Sequence, residues 1–344
     1  MNYKKIFLKL IIMIVIVSSV VILFNYSIDP FQQFRINKYG RGQQRKVNPG
    51  IAKNYKFDAI IVGTSTSQNI HKKDIKANFN NIENAVNLSM SGSTQSEQEQ
   101  LLRLALKYNN VKLMVYGMDM FSYTWNPGTF RSRIPDYLYS ENKILKLKYL
   151  ISAETTNKSL SSLRRVLKGK QDETWIDNYN YHPSIEEYRR ENVYKSAPSD
   201  ARNIKNTIYN LEIMKKNFEN FIKFVEENPN IEYKIYFVPY TMLWWYYADE
   251  YGYLDNILKF KEYVVKKLEK YNNVEIYEYQ NDESIVSDDT FKDLLHISPV
   301  KSKEIVEKIS KEIGKVNFEI EKKEIEKFKE RLDKEKVRYR EMGM

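Results

Sequence analysis

Residues 58–63 (DAIIVG) form a short apolar run that ends in glycine and leads into Thr64 and Ser65. A run of this length, bounded by turn residues, predicts a buried β-strand that passes into a turn. Similar runs recur at 85–88, 112–117, 233–239 and 274–277. Helical patterns, with apolar residues three and four positions apart, occupy 96–108, 206–227 and 254–271. This alternation predicts an α/β fold, a doubly wound parallel sheet with helices on both faces.

The rest of the chain divides around this core. We expect an amino terminus and anchor at 1–28, a stalk at 29–56, the α/β domain at 57–314 with an insertion at about 124–202, and a charged helix at 315–344. The stalk contains several prolines and glycines among polar residues and is predicted to be irregular. The final helix carries a thin apolar stripe, which predicts that one side of it is packed: Ile320, Ile325, Phe328 and Leu332.

Residues 10–28 contain no charge and are long enough to cross a bilayer, with Lys9 placed to snorkel to its surface. A cleaved secretory signal is the alternative, since Lys4 and Lys5 resemble its basic start, but no small-x-small site follows. Lys4 and Lys5 favour a cytoplasmic amino terminus. We therefore expect a single-pass protein of the cell membrane, in contact with the lipid bilayer, whose soluble domain is extracytoplasmic.

The chain has 344 residues and a net charge of +10, with basic and acidic residues mixed along most of it. No compact basic recognition motif accompanies this charge, so nucleic acid is not an expected partner. Acidic lipid headgroups or an anionic envelope polymer would be attracted, although biased composition explains the excess equally well. Cysteine is absent, which excludes disulfides, thiolate catalysis and cysteine metal sites.

Two motifs can carry chemistry. Ser65 follows the strand at a turn where a nucleophile can be exposed, although a serine there is also an ordinary helix cap. Near the other end, Asp293 stands three residues before His296, so its carboxylate can bend back to Nδ1 and leave Nε2 free as a base. The chain has only two other histidines, His71 and His182, and neither is expected at the site.

The order of four short blocks resembles the SGNH (GDSL-like) hydrolase family. These blocks are Gly-Thr-Ser at 63–65, Asn-Leu-Ser-Met-Ser-Gly at 87–92, Gly-Met-Asp at 117–119, and Asp293-x-x-His296. The resemblance covers about residues 57–309 and implies a flavodoxin-like, three-layer doubly wound fold. It implies Ser65, Asp293 and His296 as the catalytic triad, and Gly92 as a backbone donor to the oxyanion.

With its anchor, the chain resembles the membrane-bound branch of that family, which includes the D-alanyl transfer protein of lipoteichoic acid synthesis and the alginate acetylation proteins. That resemblance implies an esterase or O-acyltransferase acting on an envelope polysaccharide or teichoic acid. It also implies two kinds of partner besides the membrane: an envelope polymer or acylated carrier, and a multi-pass membrane O-acyltransferase.

One position departs from the family pattern. Asp119 stands where an asparagine usually donates its amide hydrogen to the oxyanion, and an ionised carboxylate would repel that charge. Losing one such donor costs about 3 to 4 kcal/mol of transition-state stabilisation. Either the donors at Ser65 and Gly92 suffice, or Asp119 is protonated by burial, or it serves structure. The departure motivates an alternative function, a catalytically inactive assembly or polymer-binding protein.

Aromatic residues follow the predicted strand at 233–239. Trp244 and Trp245 are candidates for substrate binding there, since such rings stack on sugars or line an acyl pocket, although core packing is an equally ordinary use. The chain contains no phosphate-binding glycine loop, no EF-hand loop and no HExxH motif. We therefore expect no metal and no other cofactor. A surface-attached interaction module, in which Ser65 only caps a helix, is a third reading.

Overall fold

The structure is a computed structural model of the 344-residue chain, and it describes residues 3–40, 42–132, 135–170, 173–182 and 184–344. Positions 133, 134, 171, 172 and 183 of the expected insertion lie outside the described residues. Through the described ranges, the helices are α1 (Tyr3–Ile28), α2 (Gln44–Asn54), α3 (Lys72–Asn78), α4 (Gln95–Tyr108), α5 (Asp136–Tyr139), α6 (Lys143–Ile151), α7 (Ala153–Leu167), α8 (Arg190–Asn206), α9 (Leu211–Glu227), α10 (Met242–Glu250), α11 (Leu254–Leu268), α12 (Pro299–Ser310) and α13 (Phe318–Glu341).

A six-stranded sheet lies at the centre of the α/β part. Its strands are β1 (Ala59–Val62), β2 (Ala85–Asn87), β3 (Leu113–Met118), β4 (Glu232–Phe237), β5 (Val274–Tyr277) and β6 (Lys315–Val316). They are ordered β2-β1-β3-β4-β5-β6; the first five run parallel, and β6 pairs antiparallel with β5. The five predicted strands are confirmed. The sixth has only two residues, too few to make a recognisable pattern.

The helices between the strands also follow the apolar pattern. The predicted helix at 206–227 begins later than expected: α8 ends at Asn206, and α9 begins after Asn210. The Oδ1 atom of Asn210 accepts hydrogen bonds from the N–H groups of Glu212 and Ile213 at 3.0 and 3.1 Å, which caps the new helix. The charged helix at the carboxyl end is present as α13, with Phe328 and Leu332 buried and Ile320 exposed.

The chain forms two compact units. The helical unit contains Met1–Lys56, Leu101–Asn109 and Ser132–Tyr179. The sheet unit contains Phe57–Gln100, Asn110–Arg131 and Asn180–Met344. This division corrects the expected domain plan, because 132–179 of the insertion group with the amino-terminal residues, whereas 180–202 belong to the sheet unit.

The segment at 29–56 is not an irregular stalk. It contains α2, with Pro49 inside the helix, and most of Asp29–Gln33 is buried. The carboxylate of Asp29 accepts hydrogen bonds from the N–H groups of Gln33 and Phe34 and from the Tyr149 hydroxyl, at 2.8 to 2.9 Å. A Cβ on Gly50 would lie 2.1 Å from the Phe31 carbonyl oxygen, so this glycine permits close packing instead of breaking the helix.

Helix α1 is long and apolar enough to cross a membrane, and it is the one such helix among the described residues. Its 26 residues extend about 39 Å, more than the roughly 30 Å of a bilayer's hydrocarbon core. Only its last three turns, from Ser18 onward, are packed within the helical unit. There Asn25 is buried, and its Nδ2 donates to the Leu150 carbonyl oxygen and Thr156 Oγ1 at 2.7 and 2.8 Å.

Candidate active site

Ser65 lies at the carboxyl end of β1, where the strand passes into a single 3-10 turn, Ser65–Ser67. Thr64 caps this turn, because its Oγ1 accepts a hydrogen bond from the N–H of Thr66 at 3.4 Å. Ligands of parallel sheets bind at this edge. The turn therefore presents the half-buried Ser65 where a substrate can reach it.

Asn87, the last residue of β2, holds this turn in place. Its Nδ2 donates to the carbonyl oxygens of Ser67, Gln68 and Ile70 at 2.9, 3.3 and 2.9 Å. Its Oδ1 accepts from the N–H of Ser89 at 3.0 Å. Because the amide is buried and its oxygen and nitrogen are both bonded, the turn after β1 is fixed to the end of β2.

Close packing against β3 and β4 fixes the turn on its other side. Ser67 Oγ lies 3.0 Å from the hydroxyl oxygen of Tyr236 in β4. A Cβ on Gly117 would come within 2.0 Å of Ser67 Oγ, so the turn fits against β3 only because residue 117 has no side chain. The turn that carries Ser65 is thus held by three neighbouring strands.

His296 lies in the loop between β5 and α12. An antiparallel bridge between Phe291 and Ile297 closes this loop. The N–H and the hydroxyl of Thr241 both donate to the Leu294 carbonyl oxygen, at 3.1 and 3.3 Å, and Asn69 Nδ2 donates to the Ile297 carbonyl oxygen at 2.9 Å. These bonds tie the loop to the end of β4 and to the segment after Ser65.

The structure brings Ser65, His296 and Asp293 together. Nε2 of His296 lies 2.8 Å from Ser65 Oγ. Nδ1 of His296 lies 2.8 and 2.7 Å from the two carboxylate oxygens of Asp293. A histidine held by a carboxylate on one nitrogen and facing a hydroxyl with the other can act as the general base for a serine nucleophile.

The Asp293 carboxylate is suited to hold a charged histidine. Oδ1 also accepts the N–H groups of Leu295 and His296 at 2.9 and 2.8 Å. Burial acts to raise the pKa of Asp293, but the hydrogen bond and charge of His296 and these two backbone bonds outweigh it and lower the pKa below its usual value. Asp293 therefore stays ionised at neutral pH.

A second carboxylate lies beside this loop and was missed by the sequence reasoning. Oδ2 of Asp200, in α8, accepts the N–H of Leu294 at 3.3 Å and the hydroxyl of Ser196 at 2.8 Å. Burial, with a contribution from the charge of Asp293, raises its pKa. No motif marks this residue, because its helix lies in the aromatic and polar insertion.

Asp119 is an acceptor, not an oxyanion donor. Its carboxylate accepts hydrogen bonds from the Tyr240 hydroxyl at 2.6 Å, from the N–H of Phe121 at 3.0 Å, and from the Thr64 hydroxyl. Burial and the charge of Asp119 raise the pKa of Tyr240 well above its usual value, which keeps that hydroxyl a donor. The expectation of Asp119 in the oxyanion hole is therefore corrected: it positions Thr64, the neighbour of Ser65.

A cavity of about 400 Å³ opens at Ser65, a size typical of small-molecule sites. Gly92, in a left-handed conformation with φ +54°, lines it, and so does Arg131, whose guanidinium lies 5.4 Å from the Phe121 ring centre. The aromatic part of the wall contains Trp125, Tyr209, Tyr240 and Trp244. The polar part comes from α8 and contains Asp200, Asn203 and Asn206.

The two candidate tryptophans have different positions. Trp244 lines the cavity, and its ring lies 4.3 Å from that of Tyr240. Trp245 has 0% exposure and packs against Phe328 of α13, with ring centres 4.9 Å apart. Substrate binding by Trp245 is therefore wrong: adjacent positions on a helix face different directions, and this one faces the core.

The other histidines do not join the site. His71 caps α3, accepting the N–H of Lys73 on Nδ1 at 3.0 Å, and its ring packs edge-on against Tyr181. His182 is exposed.

No protein-family model matches this sequence, and no curated protein matches it either. The geometry at Ser65 therefore carries the functional inference.

Proposed function

We propose that the sheet unit is a serine esterase or O-acyltransferase of the SGNH type. The observation that carries this proposal is the 2.8 Å approach of His296 Nε2 to Ser65 Oγ, with Asp293 bonded to the other ring nitrogen. The order β2-β1-β3-β4-β5 is also that of flavodoxin-like doubly wound sheets, which supports the SGNH-like fold.

In the first half of the reaction, His296 Nε2 takes the proton of Ser65 as Oγ attacks an ester or thioester carbonyl carbon. The carbonyl π electrons move to its oxygen, giving a tetrahedral oxyanion. When this collapses, the bond to the leaving group breaks and the imidazolium proton passes to that group. The acyl group then remains on Ser65, and the ionised Asp293 stabilises the transient positive charge on His296.

In the second half, water or a substrate hydroxyl loses its proton to His296 and attacks the acyl carbon. Water gives hydrolysis, and a hydroxyl gives transfer; Ser65 recovers its proton at the end of either path. The cavity wall, with aromatic rings beside amide and hydroxyl groups, supports a hydroxyl-bearing acceptor such as a polysaccharide.

Oxyanion stabilisation is assigned to backbone groups at Ser65 and Gly92. Ser65 is the first residue of its turn, where N–H groups lack intrahelical partners, and Gly92 lines the same cavity. Asp119 contributes indirectly by holding Thr64.

We extend the proposal to the cell envelope. Helix α1 supports attachment to a membrane. The proposed orientation places the sheet unit outside the cytoplasm, where it would modify an envelope polysaccharide or teichoic acid with a membrane O-acyltransferase as partner. Protease treatment of intact cells tests this orientation, and a protected sheet unit would contradict it.

A fluorophosphonate probe tests the activity, because it forms a covalent bond with the oxygen of an activated serine. The detergent-solubilised chain is expected to be labelled, Ser65→Ala to lose the label, and His296→Ala to be labelled far more slowly. Ser199→Ala and His182→Ala, at exposed positions, are matched controls that should label like the wild type. Absence of label on a correctly folded wild-type chain would sink the enzyme proposal and favour an inactive polymer-binding protein.

A further inference from the structure

The helical unit exposes apolar side chains beyond those of α1. Ile144, Leu147 and Ile151 of α6 are spaced as one helical stripe, and Leu160 and Leu167 lie seven residues apart on α7. Their exposure ranges from 41% to 77%. We call these five residues the α6–α7 surface. Outside α1, the other large apolar residues that are exposed are scattered singly, as on ordinary protein surfaces.

The α6–α7 surface belongs to helices that pack against α1. Both α6 and α7 contact α1. Asn25 joins the end of α1 to the Leu150 carbonyl oxygen of α6 and to Thr156 of α7. One face of α1 is at least partly buried, and it contains Ser18, Val21, Ile22, Asn25 and Ile28. The other faces of α1 are largely exposed. The contact thus covers about three turns, or roughly 15 Å, of α1.

Those turns coincide with the part of α1 that a bilayer would cover in the proposed membrane-attached protein, and the inference rests on that attachment. About 20 residues are needed to cross the hydrocarbon core. Lys9 limits the uncharged run at one end, so the crossing segment starts near Leu10 and continues to about Ile28. Because α6 and α7 pack against the second half of this segment, the two helices meet α1 within the length that the bilayer would cover.

The charge of the same segment fits an acidic surface. Residues 143–170 contain eight basic residues and one acidic residue, Glu154, and that residue is paired with Lys46. Arg164, Arg165 and Lys168 are exposed around the end of α7. Long basic side chains beside an apolar stripe are typical of helices that lie in the headgroup region of acidic membranes.

We propose that α6 and α7 form a second membrane contact, with the α6–α7 surface inserted among the lipids of an acidic phospholipid bilayer beside α1. This contact is independent of the chemistry at Ser65. It gives the helical unit two membrane contacts, α1 and the α6–α7 surface.

The absence of cysteine allows a direct test in the full chain, since single cysteines can be labelled without background. Leu147→Cys, Ile151→Cys and Leu160→Cys would carry an environment-sensitive fluorophore in vesicles of phosphatidylcholine and phosphatidylglycerol. Val300→Cys, at a 59% exposed position of α12, is the matched control. Quenchers attached to lipid tails report burial in the bilayer, and iodide reports contact with water. Neither readout depends on which way the chain inserts.

The three α6–α7 labels are expected about 5–10 Å below the headgroups, strongly quenched by the lipid quencher and protected from iodide, whereas the Val300→Cys label shows the reverse. Iodide quenching equal to that of the control would overturn the proposal. Shielding from both quenchers would also overturn it, because it indicates a protein partner or a second copy on this surface.

A second experiment tests whether the basic residues at the end of α7 contribute to the membrane contact. In the labelled single-cysteine chains, Arg164, Arg165 and Lys168 are changed together to glutamine. The lipid-attached quenchers should then quench the fluorophore in acidic vesicles only as much as in pure phosphatidylcholine. Equal quenching of the labelled single-cysteine chains that keep Arg164, Arg165 and Lys168, in the two lipid mixtures, would show that acidic headgroups are not recognised.

Discussion

The two units of the chain differ in how much of their structure can be predicted from local sequence. The sheet unit forms around apolar strands, of which β1, β2 and β3 are buried along their whole length, and its site lies where the strands end. The helical unit assembles three separate stretches of chain and depends on buried polar residues such as Asn25, Asp29 and Lys53. An apolar run predicts a strand from its own residues. The role of a buried polar residue can be predicted only when its partner, far along the chain, is known. The predictions below test this difference, beginning with the largest effect.

The largest effect is expected in the sheet unit, at Asp293. Asp293→Asn keeps the shape of the side chain but removes the negative charge and allows the wrong His296 tautomer, which lowers catalysis about 10⁴-fold in a comparable triad. The rate of fluorophosphonate labelling is the measurement. Asp289→Asn, at an exposed position of the same region, should label at the wild-type rate. An unchanged rate for Asp293→Asn would show that the triad geometry is not used.

A smaller effect is expected in the helical unit, at Lys53. Its Nζ donates to Gln33 Oε1 and the Leu138 carbonyl oxygen at 2.6 and 2.8 Å, and burial, aided by the charge of Lys146, lowers its pKa to about 8. Unfolding restores the ordinary pKa of 10.5, so the unfolded chain binds more protons between these values. The contribution of Lys53 to the free energy of unfolding should therefore rise by about 2 kcal/mol from pH 8 to pH 10, and this contribution is lost as pH falls through 8.

Lys53→Met should remove this pH dependence, because methionine fills similar space without a proton to lose. Urea unfolding of the solubilised chain at both pH values, compared with the wild type, gives the difference. Lys170→Met, at an exposed position of the same unit, should retain the wild-type slope. Equal changes in the wild type and in Lys53→Met between the two pH values would show that Lys53 makes no such contribution.

The smallest effect is expected at Asn317, the residue that caps α13. Asn317 Oδ1 accepts the N–H of Ile320 at 2.9 Å at the start of α13. Asn317→Ala should cost about 1 kcal/mol of stability, and the labelling rate should not change. Thermal unfolding measures it, and Asn272→Ala, at an exposed turn position, is the control. A loss of several kcal/mol would mean that α13 is held mainly by its first turn instead of by the packing of Phe328.

The sheet and the triad were predictable for physical reasons. Five strands are apolar runs bounded by turns, and this signal is contained within each run. The pairing of Ser65 with His296 followed because the chain offers so few histidines and because only one of them has a carboxylate three residues before it.

The contacts of Asp119 and Trp245 could not be predicted, because their partners lie far along the chain. Asp119 meets Tyr240 across 121 positions, and Trp245 meets Phe328 of α13. The helical unit was missed for the same reason. Its glycines and prolines predicted an irregular connection, whereas Gly50 admits the Phe31 backbone against α2. One local signal was overlooked: the basic excess of 143–170, in a sequence taken to have its charges mixed.

The bonds of Asp119 have a consequence for how this protein can change over generations. One carboxylate holds both Thr64, beside Ser65, and Tyr240, in the cavity wall. Under the proposed activity, a mutation that reshapes the cavity at Tyr240 therefore also disturbs Ser65, so substrate selectivity and reaction rate would change together at this point. Selectivity for another acyl group or acceptor would change more readily through α8, where Asn203 and Asn206 line the cavity on a helix that contains neither Ser65 nor His296.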